Sequence, residues 1–186
     1  FSDASAKSVK YKPGVETRFR GGVDRLIGAS RLTAGLTFST FSNDELRGGA
    51  FGSGAFDPGN RFLVDVGFLS PVGSGTVGVY LWDYHRSSSG SSAGTRENVF
   101  TTGVNGSFPL SPKLSLEPVA EVRLWMPTSG KGSLFGAGTS LRIEVSKQLS
   151  LIPGARLDVG RIRSPGAAKG VSVTGWDFTA LMRYGF

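Results

Sequence analysis

Apolar and polar residues alternate along most of this chain with a period of two, the spacing of a strand with one greasy and one wet face. The last eleven residues show it most clearly. Trp176, Phe178, Ala180, Met182, Tyr184 and Phe186 fall on one face, and Asp177, Thr179, Leu181, Arg183 and Gly185 on the other. Reading backwards, the same alternation predicts strands over about 15–24, 31–41, 60–68, 97–108, 114–125, 134–145 and 149–161. One further strand, about 76–85, is ambiguous. The polarity of Asp83 and His85 turns Tyr80, Trp82 and Tyr84 to the apolar side, while Val77, Val79 and Leu81 compete for it. No stretch carries a 3.6-residue period.

The connections alternate too. Segments 25–30, 69–75, 109–113 and 146–148 are short and turn-like, whereas 42–59, 86–96, 126–133 and 162–170 are generally longer and rich in Gly and Ser. Short turns at one rim and long loops at the other make an up-and-down meander. Residues 111–124 repeat as 146–159 without a gap, with Pro118 and Pro153 at equivalent points. Proline lacks the ladder donor, so both are expected at bulges near the short-turn rim.

The wet face is ionic. It gathers Arg18, Arg20, Arg31, Arg61, Asp65, Glu117, Glu121, Arg123, Arg142, Glu144, Arg156, Asp158, Asp177 and Arg183. Charges unpaired in a soluble β-sandwich core would be costly. The same face could line the lumen of a barrel whose other face meets lipid. A terminal strand of this length with a closing Phe resembles the Gram-negative outer-membrane β-barrel superfamily. That resemblance implies an antiparallel up-and-down transmembrane β-barrel in the bacterial outer membrane. It also implies that Trp176, Phe178, Met182, Tyr184 and Phe186 face lipid and form the signal read by the barrel assembly machinery. Outer-membrane lipids and that machinery are the implied partners, with other envelope proteins as further candidates. Trp82, Trp125, Trp176 and Tyr184 are then expected in interfacial aromatic belts.

Strand number stays open. Nine strands are readable, and bacterial single-chain barrels have an even count. A short tenth candidate exists at 8–12, before Pro13-Gly14. The alternatives are a single barrel domain over 1–186 with about ten strands, the C-terminal part of a larger barrel, or an eight-stranded barrel.

Composition narrows the chemistry. The net charge is +7, but Arg residues are spread singly beside Asp and Glu, which is not a nucleic-acid-binding patch. There is no Cys and a single His, so no zinc site and no cofactor is expected. The Gly-rich segment GGAFGSGAF at 48–56 sits between strands, with no helix to complete a phosphate loop. One constellation points to catalysis: His85 and Ser87, followed by Glu97. Lipid A deacylases of the outer membrane carry a His-x-Ser pair with a Glu about a dozen residues on. Here the acid is nearer, and Ser87 opens a low-complexity Ser/Gly loop. The sequence therefore favours a non-enzymatic narrow channel or structural scaffold with an Arg-rich lumen. A lipid hydrolase using His85, Ser87 and Glu97 is the alternative, and a soluble barrel with an apolar interior is disfavoured by the ionic face.

Overall fold

A computed structural model of the protein describes residues 10–47, 54–56, 58–87, 96–127 and 130–185. Nine long antiparallel strands form one sheet. They are β2 (Glu16–Ile27), β3 (Ser30–Phe41), β6 (Arg61–Val72), β7 (Gly75–Arg86), β8 (Glu97–Ser111), β9 (Leu114–Trp125), β10 (Lys131–Glu144), β11 (Leu149–Arg163) and β12 (Val171–Tyr184). Their order in the sheet is their order in the chain. The short strands β1 (Lys10–Lys12), β4 (Asp44–Arg47) and β5 (Gly54–Phe56) form a separate three-stranded sheet at the long-loop end.

That small sheet corrects two expectations. The segment at 8–12 supplies no crossing strand, because Lys10, Tyr11 and Lys12 pair with Arg47, Leu46 and Glu45. Residues 8 and 9 lie outside the described residues. The connection 42–59 is also more than a loop, since β4 pairs with β5 within it.

Tight turns join the strands at one rim. Gly28 and Gly73 open two-residue hairpin loops with φ of 61° and 59°, the left-handed backbone that the first central position of a type II′ turn requires. Pro118 and Pro153 behave differently from the expected bulges. Both sit inside continuous strands, opposite Thr139 and Ala180. On the other side of each proline the ladder loses two rungs, yet the register before and after is the same. A missing N–H interrupts pairing on one side only, so no extra residue is inserted. The register shift falls instead between Pro109 and Ser111.

No hydrophobic residue among those described is buried. A single sheet has no second layer to cover its apolar face, and Phe178 is accordingly 75% exposed. Strands of 12 to 15 residues are about 40–50 Å long at ~3.3 Å per residue. Tilted about 45°, that length crosses a hydrocarbon core of about 30 Å. The outermost strands, β2 and β12, each pair on one side only among the described residues.

Candidate functional site on the charged face

Directly opposed residues in an antiparallel ladder share a face, so the register assigns every side chain to one of two sides. One chain of partners runs Arg20, Thr37, Leu63, Tyr84, Val99, Trp125, Gly132, Ile162, Val171. Extended by the two-residue period, it places all fourteen candidate ionic residues, from Arg18 and Arg20 to Asp177 and Arg183, on the same face. Glu16, Asp24, Arg86 and Glu97 join them, and on this face arginines and carboxylates are equal in number. Trp176, Phe178, Met182 and Tyr184 lie on the opposite, apolar face. Phe186 lies outside the described residues.

Strand β7 resolves against the polarity of its ends. Tyr80, Trp82 and Tyr84 belong to the charged face, and Asp83 and His85 share the apolar side with Val77, Val79 and Leu81. Asp83 opposes Val64 and Phe100. The deciding signal is the register with Asp65 and Arg61, which single-strand alternation cannot supply. Trp82 and Trp125 therefore do not belong to a lipid-facing aromatic belt.

Midway along the strands, a row across the sheet reads Asp24, Thr33, Gly67, Tyr80, Gly103, Glu121, Gly136, Asp158, Gly175. From β6 to β12, large polar side chains alternate with glycine, and Gly103 and Gly136 seat them. The Tyr80 hydroxyl reaches across Gly103 and donates to Glu121 Oε2 at 2.8 Å. Arg156 Nη2 donates to Glu121 Oε1 at 2.6 Å and to Asp158 Oδ1 at 2.7 Å. Arg123 adds a 3.0 Å bond to Glu121 Oε1. A Cβ on Gly136 would collide with Arg156 Nη2, and one on Gly103 would stand 2.6 Å from the Tyr80 hydroxyl. Glu121 ends only 8% exposed, with its carboxylate fully engaged. Nearer the short turns, Arg142 Nε donates to Glu117 Oε1 at 2.8 Å.

Toward the long loops the face opens. A basin of about 460 Å³ is lined by Glu16, Arg18, Arg20, Thr37, Ser39, Arg61, Leu63, Asp65, Trp82 and Tyr84. Trp82 and Tyr84 stack with ring centres 6.4 Å apart and planes 24° from parallel. The Arg61 guanidinium lies 4.6 Å above the centre of the Phe41 ring. Arg18 is held by Glu16 at 2.6 Å. Arg61 Nε is shielded and has no hydrogen-bond acceptor.

The catalytic candidates are dispersed. His85, opposed to Phe62 and Asn98, lies on the apolar face. Glu97 lies on the charged face, where its Oε1 accepts from the Trp125 indole N–H at 3.0 Å. The Ser87 hydroxyl accepts from the Asn60 backbone N–H at 3.1 Å. Base and acid lie on opposite faces of the sheet, so the three residues do not form a triad. Among the described residues no cluster of three or more His, Cys, Asp or Glu could hold a metal ion.

No protein-family profile and no curated protein matches the chain. A solved structure does: OmpT (in-vitro folded), an outer membrane protein of Vibrio cholerae, at a TM-score of 0.64 and 13% identity, over 98% of this chain and 62% of that one. The fold is that of the outer-membrane β-barrels. At this identity the likeness speaks for architecture alone, and this chain spans less than two thirds of the neighbour's length.

Proposed function

We propose that the protein is a channel-forming outer-membrane β-barrel whose charged face lines a water-filled lumen and whose apolar face contacts lipid. The observation that carries this reading is the sorting of the sheet: most charged residues of the nine strands lie on one side, several of them paired across glycine, and uncovered apolar side chains lie on the other. In hydrocarbon, each unpaired backbone group on β2 and β12 would cost several kcal/mol. These strands must therefore be paired, with one another or with further strands of the same barrel. A barrel of more than nine strands suits an open lumen, because diameter grows with strand number.

Charge along the lumen is uneven. The tier near the long loops holds Arg18, Arg20, Arg61, Arg86 and Arg123 against Glu16, Asp65 and Glu97. The remainder holds more carboxylates than arginines. Arginines at the mouth favour entry of anions. Reconstitution into planar bilayers tests the reading: discrete conductance steps are expected, with a reversal potential in a KCl gradient that favours chloride. Absence of steps from folded, inserted protein would overturn it. The hydrolase alternative has no support from the placement of Ser87, His85 and Glu97.

A further inference from the structure

The basin at the mouth has the makings of a solute site, and its parts sit on successive strands. β2 contributes Arg20, which has no hydrogen-bonded or ionic partner among the described residues. β3 forms a floor of small hydroxyl side chains, Thr37 and Ser39, with Ser39 only 4% exposed. β6 raises Arg61 and Asp65, and β7 supplies the aromatic wall of Trp82 and Tyr84. With strands about 4.8 Å apart, the trough from β2 to β7 is about 14 Å wide, room for one six-membered ring and its substituents.

We infer that this trough binds a hydroxylated ring carboxylate. Its carboxylate is received by the Arg20 and Arg61 guanidiniums, its ring face lies on Trp82 and Tyr84, and a ring hydroxyl donates to Asp65. The guanidinium fork matches a carboxylate, and charge-assisted bonds of this kind are about twice as strong as neutral ones. Of the two local carboxylates, Glu16 is already held by Arg18, whereas Asp65 folds over Gly35, where it can accept from a hydroxyl. A solute lacking the hydroxyl meets Asp65 as an uncompensated like charge. Aromatic and sugar acids share this chemistry. The inference rests on the charged face being wet, but it does not require a conducting pore.

The test is side-chain indole NMR of the detergent-folded full chain, with the Trp82 resonance identified by its loss in Trp82→Phe. Two probes distinguish the sources, 4-hydroxybenzoate for an aromatic acid and D-glucuronate for a sugar acid, with 4-hydroxybenzyl alcohol and D-glucose as neutral counterparts. Saturable movement of the Trp82 signal is expected with one or both acids. Affinity should fall at least tenfold in Arg20→Gln and in Arg61→Gln, and not in Lys147→Gln at the opposite rim. Arg61→Lys keeps the charge without the fork and should recover part of the loss, which separates recognition from misfolding. Non-saturable shifts with both acids, equal response to the neutral compounds, or unchanged affinity in both arginine variants would overturn the site. Conductance of the same preparations tests the channel separately, so loss of one result leaves the other standing.

Discussion

The two faces of the sheet solve opposite problems with adjacent residues. Glu121 and Val122 are neighbours in β9, yet Glu121 is nearly buried under two arginines and a tyrosine while Val122 is 40% exposed. In the barrel proposed above, lipid replaces the missing layer on the apolar face, so shape-matched packing is unnecessary. On the charged face nothing covers the groups, and they satisfy one another laterally across glycine. Specificity of structure therefore lies on the polar side, and tolerance to change on the apolar side holds only while the change stays apolar.

The sharpest way to break this comparison is to put the same charge on each face of one strand. Phe178→Arg places a guanidinium near the middle of the apolar face and should cost about 2–4 kcal/mol. Thr179→Arg, one residue on, faces the ionic side beside Gly154 and should cost far less. Reversible unfolding from lipid vesicles measures both. Equal penalties would mean that the faces are not distinguished by solvent.

Next in size is the network itself. Glu121→Ala leaves Arg156 with only Asp158 and strands the Tyr80 hydroxyl, an expected loss of about 2–3 kcal/mol, since hydrogen bonds to charged groups contribute about 1.5–3 kcal/mol each. Val122→Ala should cost less than about 1 kcal/mol in lipid, because acyl chains fill the space that the removed methyl groups leave. The same unfolding measurement, made on both variants, compares the faces at one point of the sheet. A Val122→Ala penalty as large as that of Glu121→Ala would show that the apolar face is packed against something the present sheet does not contain.

A finer comparison stays within the charged face. Gly136 and Gly175 flank Asp158 in the same row. Gly136→Ala drives a methyl group into the Arg156–Asp158 pair and should cost about 1–3 kcal/mol as overpacking. Gly175→Ala meets nothing within 4 Å and should be neutral or slightly stabilising in a strand. Similar melting behaviour of the two variants would remove the seating role assigned to glycine.

These glycines mark where sequence reading stopped. Alternation along single strands located the nine long strands, and most of their faces, because a strand with one apolar and one polar face writes that difference into every second residue. It left β7 undecided, where Asp83 and His85 lie on the apolar side near the strand end and aromatic residues line the charged side. There local polarity competes with neighbours that only the register identifies. The glycine–polar row is invisible along the chain for the same reason, as its members lie tens of residues apart. Pro118 and Pro153 misled in another way: a lost donor can be tolerated on one side of a ladder without a bulge. The tenth-strand candidate at 8–12 has strand character, but it is too short to cross and finds its partner in β4.

Beyond the membrane-crossing band the contrast between faces should fade, and the small sheet gives the smallest and most specific test of that limit. The Asp44 carboxylate accepts the Gly14 backbone N–H at 2.6 Å and the Tyr11 hydroxyl at 2.8 Å. The Gly14 bond chiefly, then the Tyr11 bond, hold the Asp44 carboxyl below its ordinary value of 3.8, and the Asp44 carboxylate beside it raises the Tyr11 hydroxyl above 10.0. A depressed acid contributes stability that is present above its unfolded pKa and lost as pH falls through the folded value. A raised tyrosine keeps its contribution until pH climbs through its own elevated value. The β1–β4 ladder should therefore be held together from about pH 4 to about pH 10 and loosen on either side, while the β9–β11 ladders persist. Amide hydrogen exchange, corrected for intrinsic rates, reads this directly: Gly14 protection at pH 7 should drop near pH 2, and Asp44→Asn should lower it at pH 7 as well. If Gly14 protection were unchanged by both acid and Asp44→Asn, the carboxylate would not be the clasp of this sheet. The loop strands would then owe their pairing to backbone bonds alone.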